Sequence, residues 1–186
     1  RPGEYQVELK DGYPFRMTHD KDALRITHPQ SEDDLFDDLP SIWIFGCSFT
    51  HGWSVDDEDT FAWKLQERFS GYNIVNFGVS GYGQVHALLQ FQEALKTRLP
   101  PQLVILTYAH FHDERNTFGR AYRRATVMNM APQMRGTPFP YAKLAKANSA
   151  TVERRPAAYF GLPILRNSAL ATFVDAAFDG LDDRHT

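Results

Sequence analysis

Three apolar runs of strand length, Ser41–Phe45, Ile74–Phe77 and Leu103–Tyr108, are separated by two stretches of helical spacing. No other feature of the chain constrains the fold as much. The first helical stretch opens at Asp59 or Thr60, either able to cap it, and sets Phe61, Leu65 and Phe69 on one face before Gly71-Tyr72-Asn73 ends it. The second carries Val85, Leu88, Leu89 and Leu95 and stops at Pro100-Pro101, where the missing N–H and the ring clash break a helix. Short apolar runs without polar alternation read as strands covered on both faces, as in parallel sheets. Strand–helix–strand–helix–strand at this spacing therefore predicts right-handed crossovers and an α/β fold: a three-layer α/β/α sandwich around a mainly parallel sheet. The Leu103–Tyr108 run is apolar enough to be read as a central strand.

The flanks read differently. Residues 1–40 are a polar N-terminal extension, with a short alternation at Tyr5–Leu9 suited to an edge hairpin and an acidic run, Glu32 to Asp38, read as a solvated linker. Residues 41–186 form the α/β domain, interrupted at about 114–160 by an arginine- and lysine-rich insertion or lid, partly helical. Leu165, Leu170, Phe173, Val174, Ala177 and Leu181 favour a helix over 162–181, and no further strongly apolar strand follows. A doubly wound sheet ordinarily has more strands, so the sheet is expected to continue beyond Thr186. The start at Arg1 fits a processed, trimmed or partial chain.

A length of 186 residues with a hydrophobic fraction of 42% suits one domain with a substantial core. A net charge of -3, with no stacking platform interleaved among the basic residues, argues against nucleic acid as a partner. No apolar run approaches the roughly 20 residues of a membrane span. The single Cys47 excludes an intrachain disulfide, reads as a small buried filler, and leaves the compartment undecided, as the sequence leaves the oligomeric state.

Chemistry-bearing residues cluster just after each predicted strand, where open α/β sheets bind ligands. The segments are Gly46-Cys47-Ser48-Phe49-Thr50, Asn76-Phe77-Gly78-Val79-Ser80-Gly81-Tyr82-Gly83, and Tyr108-Ala109-His110-Phe111-His112-Asp113. Their order and spacing over residues 41–113 resemble the first three blocks of the SGNH, or GDSL-type, hydrolases. The resemblance implies that Ser48 is the nucleophile and that the Gly81 backbone N–H, with that of Ser48, donates to the oxyanion. The family's third block places an asparagine donor where this chain has His112, whose imidazole N–H can also donate. Asp182-Asp183-Arg184-His185 matches the family's final Asp-x-x-His block. His185 would then be the base and Asp182 its orienting carboxylate; the alternative is that both lie beyond Thr186.

A serine hydroxyl attacks an ester carbonyl only when an imidazole takes its proton, and each preorganised oxyanion donor is worth about 3 kcal/mol of barrier. The expected activity is hydrolysis or transfer of an O-acyl group, O-acetyl first, on a small-molecule or glycan ester through an acyl-enzyme, without a cofactor. His110, His112, Asp113 and His51 lack a metal-binding helical spacing, so no metal is expected. Cys47 stands where the family has aspartate and Phe111 where it has a small residue. Those departures support a second reading, an inactive domain of the same fold that binds carbohydrate or serves an assembly.

Overall fold

The computed structural model describes residues 1–10, 12–129, 136–145 and 149–156; the expected helix over 162–181, with Asp182 and His185, lies outside them. The chain divides into two compact units, Arg1–Ala109 and His110–Thr186.

The first unit opens with an antiparallel hairpin of β1 (Gly3–Glu8) and β2 (Pro14–His19), then a single exposed turn, α1 (Asp33–Phe36), in the acidic run. Next come β3 (Ser41–Phe45), the one-turn helix α2 (Ser48–His51), α3 (Phe61–Arg68), β4 (Asn73–Asn76), α4 (Gln84–Thr97) and β5 (Leu103–Leu106). β3 is central and parallel to both neighbours, in the order β4-β3-β5. Side chains alternate across a strand, so β3 serves two cores. Trp43 and Phe45 pack with Phe77, Ala87, Phe91 and Ala94, which puts α4 on one face. Ile42 and Ile44 pack with Ala62, Leu65 and Ile74, which puts α3 on the other. The α/β/α layering predicted from the alternating runs is the one observed.

Local chemistry sets the boundaries. Thr60 is the N-cap of α3, its Oγ1 accepting from the Trp63 N–H at 3.2 Å. The outer edge of β4 is closed by side chains: Gln66 Oε1 accepts from the Ile74 N–H at 2.8 Å, and the Thr27 hydroxyl donates to the Ile74 carbonyl at 2.8 Å. Arg25 adds an isolated antiparallel bridge to Asn76. The polar stretch before residue 41 thus contributes Phe15, Thr18, Arg25 and Thr27 to the buried set of this unit.

The third run departs from its reading. β5 ends at Leu106, not Tyr108, and lies at the edge of the described sheet, with Leu103, Val104 and Leu106 each 41–52% exposed. An apolar run reports a low-polarity strand, not its rank in the sheet; strand order is decided by which crossover folds to which side. Beyond the strand the chain turns at His110, and His112 begins a helix.

The second unit contains α5 (His112–Thr117), α6 (Arg120–Asn129) and an antiparallel hairpin of β6 (Pro138–Leu144) and β7 (Ala150–Pro156). Phe118 is buried and stacks on Phe139 at 5.3 Å between centroids. Arg155 donates to the Phe118 carbonyl at 2.8 Å and lies over the Tyr141 ring at 4.6 Å. At least this cation of the basic stretch is engaged within its own unit. No helix among the described residues is long and apolar enough to cross a membrane.

The β3 and β4 ends meet the α2 turn through two glycines. A Cβ at Gly46 would fall 1.9 Å from Thr107 Oγ1 and 2.0 Å from Thr50 Oγ1; one at Gly78 would fall 2.4 Å from the His51 backbone nitrogen. Overpacking of this kind typically costs 1–3 kcal/mol. Gly78→Ala is therefore expected to lose about 1–3 kcal/mol of unfolding free energy in a urea titration, whereas Gly71→Ala, with nothing within 4 Å of its Cβ, stays within about 0.5 kcal/mol of the parent.

Candidate active site

Sheet order singles out one strand end. The connection from β3 leads to β4 on one side, and the chain then returns to place β5 on the other, so the carboxyl end of β3 is where the direction of winding reverses. Ligands in open α/β sheets bind at such switch points. Ser48 lies there, at the first position of α2, two residues beyond Gly46. It is half-buried, and among the described residues no hydrogen bond engages its hydroxyl.

The turn that carries Ser48 is held at its other residues. Thr50 is fully buried; its hydroxyl meets the Thr107 hydroxyl at 2.6 Å, and its carbonyl accepts from Asn76 Nδ2 at 2.9 Å. Asn76 Oδ1 accepts in turn from the Gly78 N–H at 2.9 Å, and the Val79 N–H donates to the Gly46 carbonyl at 3.1 Å. The loop after β4 is thus laced to the loop after β3. That second loop carries Gly81 at φ +86°, a left-handed conformation that favours glycine, and leads to α4, whose first turn His86 helps close by accepting from the Gly83 N–H at 3.4 Å.

His51 and the Gly52 carbonyl fix the end of the turn from the side of the N-terminal hairpin. His51 Nε2 lies 2.9 Å from His19 Nε2, with the two rings 5.2 Å apart. The Nδ1 atoms of both rings are buried and have no hydrogen-bond partner among the described residues. The Gly52 carbonyl accepts from Arg25 Nη1 at 3.1 Å. Arg25 is buried and also donates through Nε to Asp57 Oδ1 at 2.6 Å and through Nη2 to the Arg16 and Val55 carbonyls, both at 2.9 Å. Burial lowers the Arg25 pKa while Asp57 opposes the shift.

The imidazoles are held neutral. Burial, followed by repulsion from His19 and Arg25, pushes the His51 pKa down to about 4. Burial is also the first cause lowering His19. Cys47 is buried, as its reading as a filler required.

Of the residues read as functional from sequence, Ser48 and Gly81 fall on two loops of the first unit joined by the Val79–Gly46 hydrogen bond. His112 belongs to the second unit, where it opens α5, is buried, and has its pKa lowered first by burial and then by Arg115. Asp182 and His185 lie outside the described residues. Sequence reasoning assigned no role to Arg25, Asp57 or His19; Thr50 and Asn76 stood in the strand-end segments without an assigned role, and His51 was weighed only as a metal ligand. Only Asn76 carried a signal, as the polar residue closing an apolar run beside the glycine-rich loop. A recess of about 660 Å³ lies elsewhere in the first unit, between residues 20–37, β4 and α4, and Ser48 does not line it.

No protein-family model matches the chain, and no curated protein matches it. Two solved structures are similar over part of their length: AlinE4, described as an SGNH-hydrolase family esterase, and a mutant of the same esterase. Each is 24% identical, with the match covering 47% of this chain and 49% of that chain at a TM-score of 0.38. The match thus spans about half the length of those structures.

The depressed imidazole fixes a pH dependence. An unfolded His51 takes up its proton near 6.5, whereas the folded one stays neutral down to about 4, so between those values the unfolded chain binds more protons. The contribution is fully present above about pH 6.5 and is lost as the pH falls toward 4, by up to about 3 kcal/mol. Urea midpoints at pH 7 and pH 4.5 are expected to show that loss in the parent and a smaller one in His51→Gln.

Proposed function

We propose that the first unit carries a serine ester hydrolase or acyl-transfer centre with Ser48 as nucleophile. The observation that supports it best is the placement of Ser48: a half-buried hydroxyl, free of hydrogen bonds among the described residues, on a turn whose every other anchor is buried. A nucleophile has to be presented rigidly while its own oxygen remains available, and that division of labour is the one found in α2. The backbone N–H of Ser48 and that of Gly81 are the proposed oxyanion donors, since the left-handed glycine keeps a side chain from standing in front of its amide. His112 as a further donor, and His185 with Asp182 as base and orienting carboxylate, are the assignments the sequence resemblance supplies. The substrate class we propose is a small-molecule or glycan O-acyl ester, O-acetyl first.

A second reading, an inactive domain that binds carbohydrate or supports an assembly, is favoured by Phe111 and His112 standing where the family has a small residue and asparagine. Fluorophosphonate labelling separates the two. Stoichiometric modification at Ser48, absent from Ser48→Ala and accompanied by loss of p-nitrophenyl acetate turnover of about 1,000-fold or more, is expected for the enzyme. An unmodified Ser48, with equal residual turnover in parent and variant, overturns it in favour of the binding module.

A further inference from the structure

The anchors of the α2 turn differ in kind. Thr50 is held by hydroxyl and amide groups, and Gly52 by an arginine that stays charged at any working pH. His51 is held by another imidazole, and that contact changes with a proton. We propose that the His19–His51 pair is a titratable clamp that positions the Ser48 turn, closed when the pair is neutral and opened when both rings are protonated.

Proton counting defines the clamp. A Nε2···Nε2 contact at 2.9 Å requires one Nε2–H and one bare Nε2. In the neutral pair the donor ring therefore has a bare Nδ1, and the acceptor ring carries its proton on Nδ1. A first proton adds to the bare Nδ1 of the donor ring; the hydrogen bond survives, but a cation now lies in a buried site. A second proton falls on the acceptor Nε2, both facing nitrogens become donors, and the bond is lost.

The surroundings do little to support either cation. The charged groups acting on the pair are Arg25, which is repulsive, and the carboxylates Asp57 and Asp20. Asp57 is already matched by Arg25 at 2.6 Å and faces Arg16 at 3.6 Å. Asp20 Oδ1 already accepts from the Asp22 and Leu24 N–H groups, both at 2.9 Å. The Tyr5 ring lies edge-on to His19 at 5.7 Å.

Opening the clamp acts on Ser48 through the backbone. The His51 N–H donates to Cys47, and the Gly52 and Trp53 N–H groups both donate to the Ser48 carbonyl. His51 is thus a positioning residue. Its catalytic consequence rests on Ser48 being the nucleophile, while the clamp itself does not.

Two readouts on the full chain separate those parts. Hydrogen exchange of residues 48–53, corrected for the intrinsic pH dependence of exchange, is expected to lose protection at least 10-fold between pH 7.5 and pH 3.5, below the value of about 4 at which His51 takes up its proton. In His51→Gln, or in His19→Gln should the first fold poorly, protection is expected to be independent of pH. Equal protection at both pH values in the parent overturns the clamp, and so does an undiminished pH response in the variants. Fluorophosphonate labelling of Ser48 over the same range is expected to fall at least 5-fold less steeply in the variant than in the parent. Matching label profiles with a working clamp overturn the positioning role, and a pH-sensitive turn whose serine never reacts refutes the nucleophile assignment while leaving the clamp intact.

Discussion

Arg25 is a full positive charge in a site almost closed to water, and the first unit is arranged around keeping it there. An unpaired buried charge costs several kcal/mol, so the residue is tolerable only because its guanidinium meets Asp57 and three backbone carbonyls, those of Arg16, Val55 and Gly52. Those partners come from β2, from the loop after α2, and from the end of α2 itself. A lysine cannot supply this fan of planar donors, and a neutral residue leaves Asp57 buried without its cation. The hairpin that looks dispensable as a polar extension is thereby tied to the turn carrying Ser48. The geometry of that turn depends on residues some thirty positions away in sequence as much as on its own.

Around that ion pair the unit spends polar groups where an apolar core would normally suffice. Asn76 and Thr50 are buried and Thr107 half-buried hydrogen-bonding side chains at the strand ends, and two glycines allow the turn to come within backbone contact of the sheet. Apolar packing alone fixes distances loosely, whereas a satisfied buried network admits one arrangement. The exposed side chains of the turn are Phe49 and, in part, Ser48.

Much of the layer architecture was legible in the sequence because it depends on local periodicity. The β3 boundaries, the Thr60 cap and the proline stop after α4 each follow from a few neighbouring residues. The alternate residues of Ser41–Phe45 serve two cores, as a buried parallel strand must. What was not legible depends on distant pairing. β5 read as central because its run is apolar, yet its place at the edge of the described sheet is set by the direction of a crossover. The predicted strand was carried to Tyr108 because nothing local announces its end at Leu106 or the turn at His110. Ser48 and Gly81 were found because they follow strands, while Arg25 was missed: a lone arginine in a polar stretch looks solvated until its carboxylate partner, Asp57, folds onto it.

The central claim is that the Arg25–Asp57 pair couples the hairpin to the α2 turn, and a double-mutant cycle measures that coupling most directly. Unfolding free energies of the parent, Arg25→Met, Asp57→Asn and the double variant are compared in urea at pH 7.5. An interaction energy of about 2 kcal/mol or more is expected, with the double variant less damaged than the sum of the single changes. Additivity within about 0.5 kcal/mol would show that the two residues do not act as a unit, and would contradict the account.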